Sequence, residues 1–261
     1  MRLFQPLNPP LPAWRDARVW VIGASTGIGA ATAQRLLAAG ARVALSARSA
    51  DKLQELAGDN PRARVLPLDF TDHAAIGRAL DAVKSAWGGV DLVLVVAGTH
   101  REMRAWELTD EATRALFDVN VHGPVATVAV VVPTLLAQGH GAIGIVASVA
   151  GYSGLPKALI YGASKAAMIN FTETLFLDLR PKNIGVYLIN PGFVETPLTA
   201  GNDFTMPHLI TADAAARSLV EGLRAGDFEI HFPHAFTRQL KFLRLLPYRL
   251  YFALVHRSTG L

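Results

Sequence analysis

Tyr161 and Lys165 stand four residues apart in Tyr161-Gly162-Ala163-Ser164-Lys165, a spacing that puts both on one face of a helix. A phenol with an ordinary pKa near ~10 shuttles protons poorly at neutral pH, and a fixed cation beside it stabilises the phenolate. Tyr161 is therefore a candidate proton donor. The same pair also fits a surface helix whose Lys snorkels into solvent, so chemistry requires a second motif.

That motif lies near the start of the chain. Val19-Trp20-Val21-Ile22 is an apolar run suited to a buried strand, and it leads into Gly23-Ala24-Ser25-Thr26-Gly27-Ile28-Gly29 and an Ala/Leu-rich segment to Leu37. A strand, Gly-rich turn and helix let backbone N–H groups and the helix N-terminus approach a pyrophosphate. The spacing is Gly-x-x-x-Gly-x-Gly rather than the Gly-x-Gly-x-x-Gly of most Rossmann dehydrogenases. A merely structural strand-to-helix turn is the competing explanation.

The elements that must position these residues alternate along the chain. Segments 42–47, 63–68, 92–96, 142–147, 186–189 and 228–232 read as strands, and the stretches between them carry the Ala/Leu periodicity of crossover helices. The pattern predicts an α/β fold, a Rossmann-like doubly wound parallel sheet. Ligands of such sheets bind at the carboxyl ends of the strands. Gly23, Arg48, Asp69, Gly98, Ser148 and Pro191-Gly192 all fall there.

With these motifs in place, residues 17 to 232 resemble the classical short-chain dehydrogenases/reductases. The resemblance rests on Gly23, Gly27 and Gly29, on Asp69, Ala97-Gly98, Asn120, Ser148 and Tyr161 with Lys165, and on Asn190-Pro191-Gly192 followed by Thr196. One departure is Val95-Val96-Ala97-Gly98, where the family usually has Asn-Asn-Ala-Gly; losing those amides should weaken hydrogen bonding around the central strand. The resemblance implies hydride transfer from a nicotinamide, with Tyr161 exchanging a proton with the substrate oxygen. Lys165 would lower the Tyr161 pKa and hydrogen-bond the nicotinamide ribose. Ser148 would hold the same substrate oxygen, and Asn120 would anchor a water leading from Lys165 to solvent. Ser25, Thr26 and Ile28 belong to the implied cofactor loop, Asp69 and Phe70 to an adenine contact, and Thr196 with the backbone at Val194 to the carboxamide; Ala97, Gly98, Pro191, Gly192 and Tyr161 complete the implied cofactor-binding set. Such folds also serve as non-catalytic NADP(H) sensors or scaffolds, but a scaffold has no need of Tyr161, Lys165, Ser148 and Asn120 together.

Cofactor choice turns on the end of the second strand. An acid there would accept hydrogen bonds from the adenosine ribose, whereas Arg favours a 2′-phosphate. Ala47 occupies the acid's place and Arg48 follows, so NADP(H) is expected over NAD(H). A solvated loop Arg is the alternative.

Composition limits the remaining readings. At 261 residues and 51% hydrophobic, the chain can bury one large core, with an extended arm at 1–16, a catalytic domain at 17–232 and an extension at 233–261. The absence of cysteine excludes disulfides and thiolate chemistry. Pro6, Pro9, Pro10 and Pro12 stand where a secretory signal would have a continuous apolar run, and a cytoplasmic location is expected. The uncharged stretch 119–156 is interrupted by Asn120, His122, Pro124 and Pro133, so no window of ~20 apolar residues for a membrane span is expected. The scattered histidines lack metal-ligand spacing.

The formal charge of +4 is a property of the tail: Arg238, Lys241, Arg244, Arg249 and Arg257 carry +5 with no acid from Ile230 onward, leaving −1 for the rest. This basic, aromatic segment, broken at Pro247, would pack on the lid or a subunit interface; peripheral contact with an anionic membrane is the alternative. Nucleic-acid binding is not expected from so short and apolar a basic stretch. Phe193, Leu198, Phe204, Met206 and Leu209 of a lid at 193–210, with Tyr152, Leu155 and Pro156 opposite, favour a small-molecule substrate that is an apolar, bulky carbonyl or alcohol such as a steroid, acyl-chain or aromatic ketone. The resemblance also implies a homodimer or homotetramer paired through helices near 113–137 and 161–180.

Overall fold

The computed structural model describes residues 5–202 and 204–260. Along the chain run β1 (Arg18–Ile22), α1 (Gly27–Ala38), β2 (Arg42–Ser46), α2 (Ala50–Ala57), β3 (Ala63–Val65), α3 (His73–Trp87), β4 (Leu92–Val95), α4 (Asp110–Phe117), α5 (Gly123–Gln138), β5 (Ala142–Val146) and α6 (Leu159–Leu179). There follow β6 (Gly185–Pro191), the short β7 (Val194–Glu195) and β8 (Ile210–Thr211), α7 (Ala212–Ala225), β9 (Glu229–Phe232), α8 (His234–Leu243) and α9 (Tyr248–Thr259).

Strands apolar on both faces need cover on both sides, and β4, β5 and β6 are buried at every position. The sheet is wholly parallel, in the order β3-β2-β1-β4-β5-β6-β9. Alternate residues feed two cores. Trp20, Ile22, Val93, Val95, Ile143 and Leu188 face one, while Val19, Val21, Leu92, Leu94, Tyr187 and Ile189 face the other. Strand order reverses between β1 and β4, which opens a crevice at their carboxyl ends. The molecule is a Rossmann-like doubly wound α/β domain with C-terminal helices.

The predicted strand at 63–68 is regular only to Val65. Pro67 offers no N–H, yet the ladder to β2 persists through Leu66 N to Leu45 O (2.9 Å) and Leu68 N to Ala47 O (3.0 Å). The described part of the N-terminal arm is fastened to the sheet, because Asn8 both donates to Val186 O (2.9 Å) and accepts from Val186 N (2.8 Å). Residues 1–4 and 261, and Asp203 in the predicted lid, lie outside the described residues.

One expectation needs correction. α4, a π-helical turn and α5 join into a 29-residue helical stretch, Asp110–Gln138, that contains an 18-residue window of mean hydropathy 1.6, long and apolar enough to cross a membrane. The interrupting residues do not break it: Asn120 and His122 lie in the π-helical turn, Pro124 directly follows it, and Pro133 lies inside α5. In the fold, Val128, Val131 and Leu135 of this stretch pack into the core.

Candidate active site

A cavity of about 720 Å³ runs along the crevice, within the range of ligand sites. Its near end is built by the first turn. A Cβ on Gly29 would lie 2.1 Å from Gly23 O, so only glycine lets α1 approach the strand end this closely. Thr26 caps α1 without a side-chain hydrogen bond, leaving the helix N-terminus free to receive an anion. Ser25, Gly27 and Ile28 line the same wall.

At the end of β2, Arg48 is exposed, lines the cavity and has no ion pair among the described residues. Asp69 lines it too, with its carboxylate held low, first by the Thr71 hydroxyl (2.7 Å), then by Thr71 N, and also by the charge of Arg48. Phe70, Ala97, Gly98, Pro191, Gly192, Val194 and Thr196 complete the predicted cofactor set on the lining. Val95 and Val96 leave the strand-end bonds in place: Val96 N and Ala97 N both donate to Ile22 O, at 2.8 and 3.0 Å.

Ser148, Tyr161 and Lys165 meet on the cavity wall. Ser148 ends the β5 segment and caps the next turn, its Oγ accepting from Ala150 N (3.1 Å). Lys165 is buried on α6 and donates through Nζ to Val146 O (3.0 Å), and burial pulls its pKa down to about 8. The Tyr161 pKa differs from expectation. It is raised, because desolvation outweighs the downward pull of its contact with Ser148, and the Lys165 ammonium lies 5.8 Å from the ring centroid.

Asn120 does not line the cavity but sits buried beneath it, in the π-helical turn Asp118–His122. Such turns recur at functional sites because they re-aim the backbone. Its Oδ1 accepts from Thr99 N (2.8 Å), and its Nδ2 donates to Thr99 O (2.9 Å) and Ser164 Oγ (3.1 Å). A Cβ on Gly98 would stand 3.4 Å from both Asn120 Oδ1 and Lys165 Nζ. Four residues scattered over 46 positions of sequence thus converge on one point.

The predicted substrate wall is only partly assembled. Of its members Leu198 lines the cavity. Phe193 instead packs on Phe204 and on Phe236 of α8 (5.6 and 5.3 Å between ring centroids), while Tyr152 and Leu155 face Leu240, Leu243 and Tyr251 of the C-terminal helices. The tail takes up this apolar surface, and Ala112, Ala115 and Leu116 stand on the cavity wall in its place.

Several residues here went unread in the sequence. His100 packs edge-on against Tyr161 (4.6 Å). Thr199 Oγ1 accepts from Thr196 N (3.2 Å) and donates to Val194 O (2.7 Å), fixing the loop over the cofactor side. Glu229 forms a hub: Oε1 accepts from Tyr152 Oη (2.5 Å) and Asn190 Nδ2 (2.8 Å), and Oε2 from Lys241 Nζ (2.5 Å). The spacing Thr196-x-x-Thr199 was a visible signal for the second; nothing local marks the other two.

A family model for the short chain dehydrogenase matches residues 17–205. The chain belongs to the short-chain dehydrogenase family. An uncharacterized oxidoreductase of Myxococcus xanthus is 35% identical over 241 residues, spanning 91% of this chain and 95% of that protein. A 2-dehydro-3-deoxy-L-rhamnonate dehydrogenase (NAD(+)) of a Sphingomonas species is 35% identical over 179 residues, 68% of this chain and 72% of its own. A short-chain dehydrogenase from Streptomyces avermitilis shares the fold, with a TM-score of 0.79 at 23% identity over 94% of this chain and 98% of its own. This short-chain dehydrogenase is accordingly an oxidoreductase that uses a nicotinamide cofactor.

Proposed function

We propose that the protein interconverts a carbonyl and an alcohol on a small apolar substrate with NADP(H), using Tyr161 as the proton donor and acceptor. The observation that carries this reading is the meeting of Ser148, Tyr161 and Lys165 on the wall of a cavity whose other end offers a free helix N-terminus and an Arg48 without an ion pair among the described residues. The bound nicotinamide supplies or accepts the hydride.

The chain's own residues do the rest. Gly23, Ser25, Thr26, Gly27, Ile28 and Gly29 would hold the pyrophosphate, Arg48 the 2′-phosphate, Asp69 and Phe70 the adenine, and Val194 with Thr196 the carboxamide. Ala97, Gly98, Pro191 and Gly192 shape the floor. Ser148 Oγ, fixed by Ala150 N, would donate to the substrate oxygen. Tyr161 would deliver its proton to that oxygen in reduction and take it back in oxidation. Its raised pKa keeps it protonated before reaction, which suits a donor, and Lys165 would favour the phenolate left behind. Asn120 would hold the proton route behind Lys165. The apolar preference is supported by Ala112, Ala115, Leu116 and Leu198 on the wall.

Assembly as a homodimer or homotetramer fits the exposed apolar residues Val125 and Leu136 on α5 and Leu159 and Leu177 on α6. The Sphingomonas relative is named for NAD(+), so cofactor choice is the point to test. Titration with NADPH and NADH, followed by turnover on ketones graded by size and polarity, should show tighter NADPH binding and preference for apolar ketones. Tighter NADH binding would overturn the cofactor assignment.

A further inference from the structure

α8 and α9 pack on the catalytic domain by one side only. Tyr251 is buried, 4% exposed, and its hydroxyl donates to Gly154 O, while Lys241 is engaged with Glu229. The outward residues are large and apolar: Phe242, Leu245 (80% exposed), Tyr248 (78%), Leu250 and Phe252. Tyr248 and Phe252 stack on each other in the open, with ring centroids 5.6 Å apart and planes 12° off parallel. An apolar patch of this extent on a folded surface marks a docking site. It continues toward the lid through the ring contacts Phe236–Phe193–Phe204, and Phe204 is itself exposed.

The charges on this face select the occupant. Arg238, Arg244, Arg249 and Arg257 are all exposed, and none of them has an ion pair among the described residues. No acid occurs from Ile230 to the end of the chain. A second copy docking through the same face about a two-fold axis would set one arginine-bearing, acid-free face against another. An anionic lipid surface accepts both features at once, the aromatic rings entering the headgroup boundary while the guanidinium groups meet lipid phosphates.

We propose that α8 and α9 form a peripheral docking face for anionic lipid. Aromatic burial alone would bind neutral lipid as well, so the arginines are what make the attachment selective and salt-sensitive.

Flotation of the full-length protein with phosphatidylcholine vesicles, with and without a large fraction of phosphatidylglycerol, tests this. Binding should require phosphatidylglycerol and be released by high salt. Arg249→Glu with Arg257→Glu should lower the bound fraction more than about tenfold, each arginine near such a surface contributing roughly fivefold. Phe252→Ser should weaken binding while leaving its salt sensitivity. Both variants should keep the parent's melting temperature, NADPH affinity and oligomeric mass. Absence of flotation with phosphatidylglycerol, or equal flotation with phosphatidylcholine alone, overturns the proposal. Loss of oligomeric mass in either variant also overturns it, in favour of a second copy.

Discussion

The parallel sheet and the C-terminal helices treat the same residue types in opposite ways. In the sheet, Trp20, Tyr187 and Phe232 are almost wholly buried, and the crevice at the strand ends collects Ser148 from the end of β5 with Tyr161 and Lys165 from α6. In the tail, Phe242, Tyr248 and Phe252 are exposed, and the helices are held in part by one carboxylate reached from three directions. Placement at the crevice follows from backbone topology, which a single side chain cannot undo. Placement of the tail depends on individual contacts, so substitutions there should have smaller and more separable effects.

The most damaging change should be Gly29→Ala. Its Cβ would fall 2.1 Å from Gly23 O, a backbone atom that cannot step aside. Loss of measurable cofactor binding is expected, with destabilisation upward of about 3 kcal/mol in denaturant melts. Arg48→Ala should leave the fold intact and weaken NADPH binding by about 1.5–3 kcal/mol with little change for NADH; equal losses for both cofactors would make Arg48 a general contact rather than the 2′-phosphate ligand.

Lys165 gives a pH signature. Burial sets its pKa at about 8, so it is charged below that value and neutral above it. Cofactor affinity should therefore fall several-fold as pH rises through about 8, and Lys165→Met should flatten the profile. A parent profile with no change there would place the ammonium outside cofactor recognition.

The smallest effect is expected at the tail's hub. Burial pushes the Glu229 carboxyl up, but hydrogen bonds from Lys241, Tyr152 and Asn190 together outweigh it and hold the pKa below the ordinary Glu value. A depressed folded-state pKa contributes stability above the unfolded value of about 4.3, and that contribution is lost as pH falls through the folded value. Glu229→Gln should lower stability at neutral pH by about 1 kcal/mol and soften the acid limb of the melting curve. An unchanged acid limb would show that the hub does not fasten the tail.

The same contrast explains what was legible in the sequence. Strands such as Leu92–Val95 are continuous apolar runs, and the Tyr161 and Gly23 motifs are local, so the sheet and the crevice could be read from short windows. The pKa direction of Tyr161 could not, because it depends on how deeply α6 is buried rather than on the neighbouring Lys165. The partners of Glu229 lie at positions 152, 190 and 241, and only the folded chain brings them together. Phe193 and Tyr152 were read as substrate wall from their type, and type alone does not distinguish a side chain facing a ligand from one facing a helix of the same chain.

The central claim is that Tyr161 carries the proton in a reaction whose cofactor is held mainly by other residues. Comparison of the parent with Tyr161→Phe, measuring turnover on the best ketone beside NADPH affinity, tests it directly. Turnover should fall by about 10²–10⁴ with NADPH affinity nearly unchanged. A Tyr161→Phe protein that keeps most of its turnover would contradict the account.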